Sequence, residues 1–131
     1  MAAVRDYNSA YRISRLNHRF YATVPMTAPT DELSFADLQR HIRRMYFDKD
    51  VARGVDGTFM WLMEEIGELA SALRGNDRDN LAEEFADVIA WLATIANVAD
   101  VDLNAALKAK YGTGCPGCGR LVCECPDSEK P

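Results

Sequence analysis

The sequence predicts an all-α fold, and three observations support this. Past a proline-containing link at residues 27–31, apolar residues recur every three or four positions, as on one face of a helix. No alternating apolar and polar run of useful length, which would indicate a strand, interrupts this pattern. Capping and stop residues divide it into four helical segments. We expect an antiparallel helical hairpin that completes a four-helix-bundle-like core across a dimer interface.

Size and charge limit the function. The chain has 131 residues, of which 48% are hydrophobic, so a single domain buries only a modest core. A second subunit is expected to extend that core, in a homodimer or homotetramer. The net charge of -5 opposes general nucleic-acid binding, which needs a basic surface. Without an apolar run suited to a membrane, we expect a cytoplasmic protein with no membrane partner.

Residues 1–33 are expected to form a disordered extension and linker. Residues 1–26 carry four arginines and a single acid, a local charge of +3, with weak helical periodicity. This composition resembles an organelle transit peptide. Met26 is equally compatible with an alternative start, and both interpretations remain open.

Two helices are predicted after the link. The first begins with Ser34 as its N-cap and runs to about Phe47. The second runs from about Thr58 to Arg74, where a Gly-Asn pair at residues 75–76 forms a stop signal. The residues of the second helix that we expect to face the core are Phe59, Leu62, Met63, Ile66, Leu69, Ala70 and Leu73.

Two further helices complete a domain that we expect at residues 34–111. The third helix starts near Asp77 and continues to about Ala99. The fourth follows Asp102 as its N-cap and ends near Lys110. Residues 112–131 are expected to form a separate cysteine-rich tail.

Acidic clusters lie within the apolar patterns of the second and third helices. Their members are Glu64, Glu65 and Glu68, then Glu83, Glu84 and Asp87. Carboxylates repel one another and cost several kcal/mol to remove from water. Clustering them on two core helices therefore predicts a site that holds cations, whereas two solvated helix faces are the alternative.

Helical spacing aligns these acids. Glu65 and Glu68 share one border of the second helix's apolar face, and the third helix presents its acids on the corresponding border. A chain reversal at residues 75–76 sets Glu68 level with Glu84. It also sets Glu65 level with Asp87, so four carboxylates meet within one helical turn. Such oxygen ligands suit Mg²⁺ or Mn²⁺, while the lack of a matching histidine makes zinc or di-iron less natural.

The pattern Glu-Glu-x-x-Glu, followed after a short hairpin by Glu-x-x-Asp, resembles the signature of MazG-type all-α nucleoside triphosphate pyrophosphohydrolases over about residues 34–111. The resemblance implies Mg²⁺-dependent cleavage between the α and β phosphates of a nucleotide, with release of a nucleoside monophosphate and pyrophosphate. The implied metal ligands are Glu65, Glu68, Glu84 and Asp87. Glu64 would be an accessory acid that orients or deprotonates the attacking water, whereas Glu83 falls away from the site.

Aromatic and amide side chains near the acids are candidate substrate contacts. Trp61 lies four residues before Glu65, and Trp91 lies four residues after Asp87. The hairpin places both tryptophans one turn beyond the acids, where they are candidates to flank a nucleobase. Packing in the core or at a dimer interface is the alternative. Asn97 is a candidate to bind a base or sugar, or to lie at a subunit contact.

Basic side chains are expected to meet the remaining phosphate charge. Lys108 and Lys110 on the fourth helix are the first candidates, followed by Lys49 and Arg53. The alternative for the two lysines of the fourth helix is that they complement its dipole.

The tail carries all four cysteines within eleven residues, as C-x2-C followed by C-x-C. They are Cys115, Cys118, Cys123 and Cys125. This arrangement resembles a compact zinc knuckle, and we expect structural Zn²⁺ without a catalytic part. Since C-x-C can be too cramped for one tetrahedral ion, disulfides and a reduced tail remain alternatives.

Two other functions remain open from the sequence. A non-enzymatic helical regulator or scaffold would dimerise through the second and third helices and dock a partner through the tail. Its partner binding would survive substitution of the acids. Phosphoribosyl-ATP pyrophosphohydrolase would use similar chemistry on a different substrate, and no feature of the sequence excludes it.

Overall fold

The computed structural model describes residues 33–126. The expected N-terminal extension, apart from residue 33, and the last five residues of the tail therefore lie outside the described residues. Residues 33–126 form three helices and no strand: α1 (Phe35–Ala72), α2 (Arg78–Val98) and α3 (Leu103–Tyr111). The predicted all-α class is confirmed.

Short polar side chains begin each helix as predicted. Ser34 accepts a hydrogen bond from the backbone N–H of Asp37, whose carboxylate accepts one from the Ser34 N–H, forming a capping box. Asp77 caps α2 by accepting from the N–H groups of residues 79 and 80. Asp102 caps α3 in the same way through Ala105. The N-cap predictions for Ser34 and Asp102 and the predicted helix start near Asp77 are confirmed.

The first two predicted helices are joined into one kinked helix. Gly54, with φ 80° and ψ 173°, is the non-helical residue within α1. This backbone region is essentially restricted to glycine, so any side chain here would be strained although a Cβ would meet no atom within 4 Å. The Thr58 hydroxyl donates to the Gly54 carbonyl oxygen at 2.7 Å. The other residues of the segment 48–57 are helical on either side of Gly54.

The second part of α1 and α2 form the predicted antiparallel hairpin. Their connection spans residues 73–77, and residues equally distant from it meet. Trp61 stacks on Trp91, and an oxygen of Glu65 lies within 4.8 Å of an oxygen of Asp87. The hairpin thus brings the acid-bearing faces of the two helices together.

The turn from α2 to α3 uses an aspartate where glycine is usual. Asp100 has φ 57°, a left-handed conformation that aspartate tolerates better than most residues. The Val101 N–H donates to the Ala96 carbonyl at 2.8 Å, the bond expected of a Schellman motif. This turn directs the chain into α3, which contacts α1.

Part of the predicted core is exposed in the single chain. Leu62 of α1 is buried. In contrast, four apolar residues expected in the core are 40–59% exposed, and we call them the apolar stripe: Phe59, Met63, Ile66 and Leu73. The hairpin covers only one side of α1, and the stripe lies on a side that neither α2 nor α3 covers fully. Within residues 33–126, no helix is both long and apolar enough to cross a membrane.

Candidate metal centre

Carboxylates from both helices of the hairpin converge at one point. Glu65 of α1 and Glu84 and Asp87 of α2 each place one oxygen within 4.8 Å of the others. Glu65 and Glu84 are partly buried, whereas Asp87 is exposed. Three carboxylates this close repel one another unless a cation or proton lies between them. The geometry therefore suits a divalent cation that prefers oxygen ligands.

Glu84 is the most constrained of these acids. Its Oε2 atom is buried and has no hydrogen-bond partner within the described part of the chain. Burial raises the pKa of Glu84 above its ordinary value, and the charges of Glu68, Glu65 and Asp87 raise it further. A buried acceptor without a donor, held among like charges, is the environment expected of a side chain that binds a cation.

Glu65 is oriented by an aromatic donor. The Trp91 indole Nε1–H donates a hydrogen bond to Glu65 Oε1 at 2.9 Å. Such a contact fixes the rotamer of a potential ligand, one oxygen of which lies within 4.8 Å of oxygens of Glu84 and Asp87. The sequence places Trp91 one turn from the acids but does not reveal this bond, because it depends on the side-chain rotamers.

The remaining acids lie at the edge of the centre. Glu68 is exposed and lies outside the group of three, although its charge is the largest electrostatic influence on the Glu84 pKa. Glu64 is exposed beside Glu65 on α1, and Glu83 is exposed on α2. The structure therefore separates three converging acids from Glu68, which is close, and from the exposed Glu64.

The two tryptophans contact each other directly. The Trp61 and Trp91 rings are stacked with centroids 5.6 Å apart and planes inclined by 7°. A base would have to part these rings or stack on a face that the pair leaves open, since no space for a third ring lies between them. Trp61 is 46% exposed and offers such a face.

A cavity of about 480 Å³ adjoins the acids, within the range of small-molecule sites. The acid Asp87 and the ring of Trp91 form part of its wall, so the cavity opens onto the candidate metal centre. The first part of α1, before the kink, supplies four further polar side chains. These are Tyr46, Lys49, Asp50 and Arg53.

Asp50 and Arg53 form a pair in the cavity wall that the sequence does not identify. The Arg53 guanidinium donates to Asp50 Oδ1 at 2.9 Å and lies over the Trp91 ring, 5.2 Å from its centroid. Asp50 is 3% exposed, and its Oδ2 atom has no hydrogen-bond partner among the described residues. The sequence signal is weak, because the sequence predicts that residues 48–57 connect two helices and does not assign their inward-facing positions.

Three predicted substrate contacts lie elsewhere. Lys108 and Lys110 are exposed in the last turn of α3, and neither lines the cavity. Asn97 is buried, and its amide accepts a hydrogen bond from Gln39 Nε2 and donates one to the Gln39 carbonyl. In this structure Asn97 fastens α2 to α1, and Lys49 and Arg53 are the predicted cations that reach the cavity.

The four cysteines converge after α3. One sulfur from each of Cys115, Cys118, Cys123 and Cys125 lies within 4.8 Å of the others, and all four are free thiols. Donation by the backbone N–H groups of Glu124 and Arg120 lowers the pKa of Cys118 to about 6. The Cys123 sulfur, followed by burial, raises the pKa of Cys125 to about 12. The tail thus contains a second group of side chains whose spacing is compatible with a metal ion.

The hairpin and its acids define a class of protein: an all-α domain with a carboxylate centre beside a ligand-sized cavity. A family model described as the MazG nucleotide pyrophosphohydrolase domain matches residues 53–118, about half of the chain. The chain belongs to this family, whose members are hydrolases of nucleotide phosphoanhydrides. Comparison with the curated proteins gives no match. The matched residues include all the acids of the candidate centre and end at the second cysteine of the tail.

Proposed function

We propose that the protein is a divalent-metal-dependent nucleotide pyrophosphohydrolase, which cleaves nucleoside triphosphates between the α and β phosphates. The products would be a nucleoside monophosphate and pyrophosphate. The observation that carries the proposal is the convergence of one oxygen each from Glu65, Glu84 and Asp87 within 4.8 Å of one another, beside a cavity whose wall includes Asp87. Family membership supports the reaction class.

The residues fit Mg²⁺ or Mn²⁺. The converging atoms are all carboxylate oxygens, and the buried Glu84 Oε2 lacks a donor, which matches the preference of hard cations. Glu65, Glu84 and Asp87 would hold the ion, and Glu68 would complete or neighbour the set. When bound, the cation would offset the negative charge of the triphosphate and lower the pKa of the attacking water.

The chain's own groups would position the reacting atoms. Glu64 is proposed to orient the attacking water and accept its proton, because it is an exposed carboxylate on α1 next in sequence to the proposed ligand Glu65. Water adds to phosphorus as the bridging P–O bond breaks, and pyrophosphate leaves. Trp91 would keep Glu65 in its ligand rotamer through the 2.9 Å hydrogen bond.

The cavity is the proposed nucleotide site. Lys49 and Arg53 would bind phosphate oxygens in its wall, and the open face of Trp61 would stack on the base. The buried Asp50 Oδ2 can accept a hydrogen bond from a sugar hydroxyl or a base amino group. An acceptor without a partner discriminates strongly against ligands that lack the donor.

The proposal is tested by following pyrophosphate release from ribo- and deoxyribonucleoside triphosphates and from phosphoribosyl-ATP. Release should require both the nucleotide and Mg²⁺ or Mn²⁺, with equal amounts of monophosphate and pyrophosphate formed. Absence of turnover with every nucleotide would refute the enzymatic function. Release of orthophosphate in place of pyrophosphate would refute the assigned bond.

Lys49→Ala should lower kcat/KM for the triphosphate about tenfold, because one charge-assisted hydrogen bond to phosphate is lost. Lys110→Ala is the matched control, since this exposed lysine lies on α3 and outside the cavity wall. Steady-state kinetics and thermal unfolding of both variants provide the measurements. A larger loss with Lys110→Ala than with Lys49→Ala would assign phosphate binding to α3.

We also propose that the apolar stripe joins two copies of the chain. Phe59, Met63, Ile66 and Leu73 follow one another at spacings of four, three and seven residues, the repeat of a helix-packing seam. Met63 and Ile66, at the centre of the stripe, are 45% and 40% exposed. A partner helix packed against them would bury this apolar surface. Pairing of two hairpins would complete a four-helix core.

Ile66→Glu should convert the oligomer into a monomer of 14.6 kDa, because the carboxylate would be buried unpaired in the seam. Ser71→Glu introduces the same charge at an exposed position of α1 outside the stripe and should leave the mass unchanged. Sedimentation equilibrium measures both variants. A wild-type chain that sediments as a monomer at micromolar concentration would contradict the proposed interface.

A further inference from the structure

The cysteine cluster has the dimensions of a tetrahedral thiolate site. The Cys115 sulfur lies 3.8 Å from that of Cys125 and 3.4 Å from that of Cys123. Four sulfurs at the usual Zn–S distance from one ion are about 3.8 Å apart. A disulfide would require the two sulfurs to be about 2.05 Å apart, so these contacts are not disulfides. Because the sulfurs of Cys123 and Cys125 both join the group, the C-x-C spacing does not prevent convergence.

The backbone of the loop is shaped around the sulfurs. The Cys115 N–H donates to the Arg120 carbonyl at 2.8 Å, and the Gly119 N–H donates to the Cys115 carbonyl at 2.7 Å, which closes a tight turn. The Cys125 N–H donates to the Cys123 sulfur at 3.4 Å. A Cβ at Gly117 would lie 2.9 Å from the Cys125 sulfur, so glycine there admits the fourth cysteine. The turn thus brings the first pair of cysteines close to the second pair.

Little apart from the sulfurs can hold this loop in place. Residues 112–126 contain no buried residue, and the apolar side chains of Leu121 and Val122 are 93% and 80% exposed. A segment of this size cannot be stabilised by such a small apolar contribution and normally needs a metal or cross-links. Since the cysteines are not cross-linked, a metal is the remaining source of stability.

We propose that Cys115, Cys118, Cys123 and Cys125 bind one structural Zn²⁺, in a site separate from the carboxylate centre. Four soft thiolates select zinc over Mg²⁺ or Mn²⁺, whereas the hard carboxylates have the opposite preference. The two sites are therefore expected to bind two different metals within one chain. No position is left open on a four-cysteine ion, so the zinc folds the tail and does not act on the nucleotide.

Measurement of the metal content of the full-length protein, purified under reducing conditions with zinc supplied, tests the assignment. We expect one Zn²⁺ per chain, falling at least about tenfold in Cys118→Ser and in Cys123→Ser. Leu121→Ser is the matched control, because it places a serine in the same loop without removing a sulfur, and Glu84→Gln is the control for the carboxylate centre. Both should retain zinc.

Two outcomes of the metal measurement would overturn the site. One is zinc that persists in both cysteine variants. The other is zinc that is lost in Glu84→Gln. Stoichiometric iron in place of zinc would overturn the metal identity.

A measurement on the wild-type protein needs no variant to fold. Co²⁺ added to the metal-free chain should give the intense absorption of tetrahedral thiolate coordination. A weak spectrum of oxygen-ligated Co²⁺ would contradict the proposal.

Limited proteolysis tests the structural role. Arg120 lies between the second and third cysteines with its side chain 61% exposed and paired with Glu124. Trypsin should cleave after Arg120 at least about tenfold faster once a chelator removes the metal, because the loop then loses its fold. The acceleration should persist in Glu84→Gln and disappear in Cys118→Ser, whose loop is already open. Equal cleavage with and without chelator in the wild type would show that no metal holds the loop.

Discussion

Glu84→Gln is expected to lower kcat/KM for nucleotide hydrolysis by about 100- to 1000-fold, because metal-based charge stabilisation is worth several kcal/mol in such reactions. Glutamine keeps the size of the side chain but removes the charge at Glu84, whose Oε2 atom is buried without a hydrogen-bond partner among the described residues. Pyrophosphate release under saturating Mg²⁺ gives the rate. Isothermal titration of Mg²⁺ into each protein should show weakened binding.

Glu83→Gln is the matched control for this substitution. Glu83 precedes Glu84 on α2 but is exposed, and it lies outside the group of converging oxygens. The same chemical change one residue away should leave the rate within about twofold of the wild type, since a solvent-exposed charge contributes little. Equal losses in both variants would mean that general acidity of α2, and not a ligand at Glu84, supports activity.

Thermal unfolding separates lost function from lost fold. Burial, followed by the charges of Glu68 and Glu65, raises the pKa of Glu84 in the folded state above its ordinary value of 4.5. Protonation of Glu84 therefore stabilises the folded state. This contribution to the free energy of unfolding is fully present below pH 4.5 and is lost as the pH rises through the folded-state pKa. In metal-free buffer, Glu84→Gln should match the wild type at low pH and be the more stable protein near neutral pH. A variant less stable at every pH would instead show that Glu84 supports the fold.

Much of the candidate site could be predicted from the sequence because helical geometry is regular. The acids repeat at i and i+3, and a five-residue connection fixes which positions of two antiparallel helices meet. This is sufficient to bring Glu65 level with Asp87 and to place Trp61 beside Trp91. The positions follow from rise and rotation per residue, which do not depend on the rest of the fold.

Other features depend on tertiary contacts that the sequence does not encode locally. A single glycine can end a helix or kink it, and the sequence alone does not give the non-helical backbone angles that Gly54 adopts. Asp50 and Arg53, just before Gly54, line the cavity wall. Likewise, an apolar position such as Met63 has the same periodicity whether it faces its own chain or a partner, so the sequence could not assign it to one of them.

Asn97 illustrates the same limit for polar residues. From the sequence, an amide near a substrate site is a candidate ligand contact. In the structure its amide is bonded at both ends to Gln39, which is itself 7% exposed. Gln39 Nε2 also donates to the Val101 carbonyl at 2.7 Å, and its Oε1 accepts from the Leu103 N–H at 3.0 Å. One glutamine therefore joins α1 to α2, to the following turn and to the start of α3.

Gln39→Ala should consequently destabilise the protein by about 2–4 kcal/mol, because three partners in or near the core lose their hydrogen bonds together. In a domain of this size the melting temperature should fall by roughly 10 °C or more. Asn104→Ala removes an exposed amide from α3 and should change stability by less than about 0.5 kcal/mol. Chemical denaturation and calorimetry of both variants measure the difference.

A double-mutant cycle determines whether Gln39 and Asn97 act as one unit. If their amides are coupled through the 3.2 Å bond, Gln39→Ala combined with Asn97→Ala should cost at least about 1 kcal/mol less than the two single substitutions added together. The Asn97 oxygen that Gln39→Ala leaves unpaired is absent from the double variant, so this cost enters the sum of the single substitutions but not the double substitution. Additive costs would show that Asn97 is held independently of Gln39. If Asn97→Ala leaves the stability unchanged and raises KM, Asn97 would instead be assigned to substrate binding.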